Sequence, residues 1–126
     1  MFLKVTTSLL FIIPAAVSWF EKIYFYSIII FFSMISSIAY HLKNEKKYGY
    51  LDTITSVSLM TANLYFFYLS GFLFPYNCFI IVISIVSLYF WHTGHKKKYS
   101  LNHSLWHILS VIITLCCILS YLKIHK

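Results

Sequence analysis

The sequence predicts an all-α protein, an integral membrane bundle of about five transmembrane helices. Of its 126 residues, 60% are hydrophobic and only 10% are charged, with a mean hydropathy of +0.79. A soluble domain is about 45–50% apolar and about 25% charged. The apolar residues gather into five long runs separated by short polar gaps. Inside a bilayer every backbone polar group must be satisfied within the protein, so isolated runs of this length are helices. A soluble enzyme, a disordered chain and a disulfide-stapled secreted domain are all excluded by this balance, and residues 1–126 read as a single transmembrane helical domain.

The first helix is expected over about 5–20, ended by Glu21 and Lys22, with Pro14 kinking it. A cleaved leader is the alternative for this run: Lys4 supplies a short basic region, residues 8–14 an apolar region, and Ala16-Val17-Ser18 resembles a signal-peptidase site. The run continues through Trp19 and Phe20, which favours a retained helix. The second helix is expected over 23–42, ended by the Lys43–Lys47 stretch, and the third over 51–74, ended at Pro75. The fourth is expected over 76–91, before the polar stretch Thr93–Lys98, and the fifth over 103–122, with a polar tail to Lys126. Short connections make neighbouring helices antiparallel.

Ten lysines, no arginine and three acids give a formal net charge of +7. The lysines sit in gaps between apolar runs, without a basic helix or a basic–aromatic alternation, so nucleic acid is not an expected partner. They read instead as an orientation signal. With five crossings, Lys4, Lys43, Lys46, Lys47, Lys96, Lys97 and Lys98 share the N-terminal side, while Lys22, Lys123 and Lys126 fall on the other. The N-terminus is therefore expected in the cytoplasm and the C-terminus on the opposite side. Lys96–Lys98 could also touch anionic headgroups. Cys78, Cys116 and Cys117 have no zinc-ribbon or redox spacing and read as small buried apolar residues.

Ionisable groups inside membrane runs are costly and default to functional candidates. His41 ends the second helix one turn after Ser37, Asp52 opens the third, and His103 and His107 stand one turn apart at the start of the fifth. With five crossings all of these ends lie on the same side. Ser37–His41 and His103–His107 are i,i+4 pairs, so each pair shares a helix face. Two histidines at this spacing can bind one metal ion, and His41 would complete a three-His zinc set with a position open for water. Bound zinc lowers the pKa of a water to about 7. Plainer readings stand beside these. The His pair tolerates the headgroup zone, Asp52 could cap its helix, and Ser37 could bond back to its own helix. His92 and His95 read as interfacial, and Trp19, Trp91 and Trp106 as interface anchors.

Taken together, Ser37-Ile38-Ala39-Tyr40-His41, Asp52 and His103-Ser104-Leu105-Trp106-His107 resemble the CREST superfamily of membrane hydrolases. That superfamily includes the alkaline ceramidases, the progestin/adipoQ receptors, the Per1-type proteins and the myomaker-like proteins. Its pattern is Ser-x-x-x-His on the second helix, Asp at the start of the third and His-x-x-x-His on the last. The resemblance implies zinc held by His41, His103 and His107, Asp52 contacting or activating the metal-bound water, and Ser37 stabilising an oxyanion. It implies hydrolysis of an amide, or sometimes an ester, in a membrane lipid. This chain offers five helices where the family has seven, a shortened form that keeps the parity of the last helix. A homo-oligomer could restore the missing wall. The alternatives are a non-catalytic zinc-bearing receptor, fusion or assembly protein, and a small structural or pore-forming membrane protein.

Overall fold

In the computed structural model, residues 2–94 and 99–126 are described. His95, Lys96, Lys97 and Lys98 lie outside the described residues. The chain is all-α, and no strand occurs among the described residues. The helices are α1 (Phe2–Leu9), α2 (Ile12–Phe20), α3 (Tyr24–Lys43), α4 (Lys46–Leu69), α5 (Tyr76–Gly94) and α6 (Tyr99–His125). Two compact units divide them, Met1–Ala62 and Asn63–Lys126, with the boundary inside α4.

The first expected helix is two helices. Proline lacks an N–H, and its ring crowds the carbonyl four residues earlier. For Pro14 that carbonyl belongs to Leu10, and the chain leaves the α-helix at Leu10 and Phe11. Tighter i→i−3 bonds carry the backbone through the break: Leu10 N–H to Thr7 O at 3.3 Å, Phe11 N–H to Ser8 O at 3.2 Å and Ile13 N–H to Leu10 O at 3.1 Å. Pro14 itself then sits in the first turn of α2, where its missing donor costs little.

The helix ends follow local chemistry. Asn44 adopts the left-handed conformation (φ 51°) and closes α3, its N–H bonding Tyr40 O at 2.8 Å. The helix α4 begins at Lys46, five residues earlier than expected, because the Glu45 carbonyl accepts from Tyr48 N–H at 3.1 Å and Gly49 N–H at 3.2 Å. It stops at Leu69 rather than at Pro75; Gly71 with φ +62° turns the chain where a side chain would be strained. The helices α5 and α6 extend beyond their expected ends, to Gly94 and over Tyr99–His125.

In the first unit, α3 packs against α1 and α2, and in the second α5 packs against α6. The distribution of polarity is inverted relative to a soluble core. Ser8, Ser18, Ser27, Ser33, Ser36 and Ser37 are buried, while Phe2, Phe20, Phe25 and Phe74 are among the most exposed side chains. Small polar residues between helices and large apolar ones outside are what lipid as a solvent selects, because burial of apolar surface there gains nothing. Among the described residues, no buried side-chain nitrogen or oxygen lacks a hydrogen-bond partner.

Four spans are long and apolar enough to cross a membrane: Phe2–Phe20, Tyr24–Lys43, Tyr76–Thr93 and Leu101–His125. These define a membrane protein. The 24 residues of α4 are long enough, but Lys46, Lys47, Asp52 and several Thr, Ser and Asn dilute its apolar character, and it is not among the four.

Candidate functional site

Within the first unit, Ser37 and His41 stand one turn apart near the end of α3, and both are buried. Ser37 Oγ meets Ser8 Oγ of α1 at 3.0 Å. Ser8 Oγ also lies 2.8 Å from the Lys4 carbonyl, to which it can donate. The His41 ring is tilted against Tyr40, with centroids 5.4 Å apart. Tyr40 in turn faces Gly49 of α4, where an added Cβ would lie 3.1 Å from Tyr40 Cε2. Gly49 therefore lets the start of α4 pass close to the aromatic ring that flanks His41.

Asp52 is buried in the second turn of α4. The earlier start of that helix places Asp52 inside it, so the capping role does not apply. One turn on, Thr55 Oγ1 meets Ser36 Oγ of α3 at 2.5 Å, tying α4 to α3 beside Ser37.

Within the second unit, α6 brings His103 and His107 together. Their side chains are 9% and 3% exposed, and their rings meet edge to face with centroids 4.5 Å apart. The helical period alone accounts for this pairing. Trp106 is tilted against both rings, at 5.5 Å from His103 and 5.4 Å from His107. It is a partner of the pair rather than only an interface anchor. Ser104, buried between them in sequence, is 2% exposed.

The remaining candidates separate from this set. His92 is exposed in the last turn of α5. Trp19 and Trp91 are about half exposed. Cys117 is fully buried and donates towards the Asn63 carbonyl at 3.5 Å, Cys116 is half-buried, and Cys78 is exposed, so the expectation of burial does not hold for Cys78. Ser8 was not singled out by sequence. Its signal is a hydroxyl one turn after a lysine in an apolar run, a pattern too common to stand out.

Imidazole nitrogens suit zinc, copper, nickel or iron, so the donor set is compatible with zinc without selecting it. No protein-family model matches the chain, no curated protein matches it, and no solved structure matches it.

Proposed function

We propose that the chain is a zinc-dependent membrane hydrolase of the ceramidase-like, CREST type, cleaving an amide or ester bond in a membrane lipid. In this reading His41, His103 and His107 would hold the metal, each through one imidazole nitrogen. The observation that carries the reading is the buried His103–His107 pair, two ligands on one helix face in a chain with few ionisable groups. Imidazoles at membrane depth default to functional candidates, and neutral imidazole is a common metal ligand.

A zinc ion held by these residues would lower the pKa of water and polarise a carbonyl oxygen. Asp52 would take a proton from the attacking water and return it to the amine or alcohol that leaves as the C–N or C–O bond breaks. Ser37 donates to the oxygen that becomes negative as the carbonyl is attacked. The apolar exterior of the helices lets acyl chains approach from the bilayer, while the scissile bond meets these residues near the interface.

The same reading takes α4 as a fifth crossing. The N-terminus then lies in the cytoplasm with seven lysines on its side, against three on the other. A second reading is a zinc-bearing receptor, fusion or assembly protein without turnover, and either reading accommodates a homo-oligomer.

The test is hydrolysis of a fluorescently labelled short-chain ceramide by zinc-loaded protein in mixed micelles, wild type beside Asp52→Asn. Turnover lost in the variant with metal retained supports the hydrolase. Turnover absent from wild type, with zinc present, leaves the non-catalytic reading.

A further inference from the structure

The turn between α3 and α4 carries charge in an unusual arrangement. Lys46 and Lys47 occupy the first turn of α4, and no acid shares that turn. A helix N-terminus is the positive end of the macrodipole, so cations there are unfavourable and anions are stabilising. Lys43, the last residue of α3, adds a third ammonium. Glu45 supplies one counter-charge, pairing with Lys47 Nζ at 3.1 Å.

Tyr48 gathers two of these cations. Lys43 Nζ lies 5.1 Å from the centre of its ring and Lys47 Nζ 5.0 Å, and Lys43 also donates to Tyr48 Oη at 3.1 Å. The ring face attracts ammonium groups. It holds two like charges beside each other, Lys43 at the C-terminal end of α3, where a cation is favoured, and Lys47 at the N-terminal end of α4, where it is not. Lys43, Lys46 and Lys47 are all exposed. A local arrangement that conflicts with helix electrostatics is a mark of function. Lys43 also closes the apolar span Tyr24–Lys43, which places the cluster at headgroup level.

We propose that Lys43, Lys47 and the ring of Tyr48 form a binding site for a phosphate monoester anion, as carried by an acidic lipid headgroup or by free phosphate. The two ammonium groups donate to the phosphate oxygens, Lys46 and the α4 N-terminus add positive potential, and Glu45 competes with the ligand for Lys47. The site lies on residues 43–48 and does not depend on the hydrolase reading.

The full chain in detergent, titrated with dioleoyl phosphatidic acid, dioleoyl phosphatidylcholine or inorganic phosphate and read by native mass spectrometry, tests this. Phosphatidic acid is expected to be retained in preference to phosphatidylcholine. Each lysine contributes about fivefold, so Lys43→Ala with Lys47→Ala lowers retention by about 25-fold. Glu45→Gln strengthens it, and Tyr48→Leu, which releases both ammonium groups, weakens it. Lys123→Ala with Lys126→Ala removes the same charge elsewhere and leaves it unchanged. Competition by inorganic phosphate at millimolar concentration identifies the phosphate group itself as the ligand. Its failure to compete identifies the lipid as the source. Equal loss in the two double variants, or no preference for phosphatidic acid, overturns the site.

Discussion

Ser37 of α3 and Ser8 of α1 share a hydrogen bond at 3.0 Å, and both side chains are buried. Ser8 also bonds the Lys4 carbonyl at 2.8 Å, so it has a structural partner that Ser37 does not share. The two serines should therefore separate in mutation. Ser8→Ala lowers stability by about 0.6 kcal/mol, the usual worth of an interhelical bond in a membrane, and leaves ceramide turnover within a few-fold of wild type. Ser37→Ala lowers turnover by about 100-fold, as loss of an oxyanion donor does. Thermal unfolding in detergent and a turnover assay on both variants read the two effects. Equal turnover in Ser37→Ala and wild type would remove Ser37 from the chemistry.

The break at Leu10 and Phe11 is assigned to Pro14. Pro14→Ala restores the missing donor, and amide hydrogen exchange at Leu10 and Phe11 should slow as α1 and α2 join. A continuous helix re-aims Ser8, so Ser8→Ala should cost nothing further in the Pro14→Ala background. Full additivity of the two substitutions would show that the proline does not set the position of Ser8.

In the second unit, Asn63 Nδ2 donates to Thr114 Oγ1 at 3.2 Å, while Thr114 donates to the Ser110 carbonyl at 2.8 Å. This chain of bonds ties the end of α4 to α6, with Phe66 packed edge-on against Tyr121 at 5.0 Å alongside. Asn63→Leu should lower the unfolding free energy by about 0.6–1.7 kcal/mol, measured by detergent-dependent unfolding. A neutral or stabilising result would mean that the amide is dispensable to the packing of α4 on α6.

Asp52 distinguishes a hydrolase from a zinc-bearing protein without turnover. Asp52→Asn keeps the shape of the side chain, and loss of a proton acceptor typically costs about 100- to 10,000-fold in rate. The hydrolase reading predicts that loss with zinc content unchanged, read by parallel turnover and metal analysis. Unaltered turnover would dismiss Asp52 as the base.

What was legible in the sequence follows from period and composition. The facing of His103 and His107 needs only the helical repeat, and the five apolar runs need only hydropathy. The boundaries of α4 were not legible, because Lys46, Lys47 and Tyr48 are polar or interfacial yet helical; Glu45 and Gly49 decide where the helix begins. The site of the break in the first helix lies one turn before the proline that causes it. The Ser8–Ser37 bond joins residues 29 positions apart. Nothing in a local pattern distinguishes Ser8 from other serines in apolar runs.

The central claim is a metal held by His41, His103 and His107. Its most direct test is the metal content of detergent-purified wild type beside His107→Ala, both checked for native-like unfolding. Wild type is expected to hold about one zinc per chain, as three imidazoles with one open position would, and the variant to lose it. A metal-free wild type with native-like stability would contradict it.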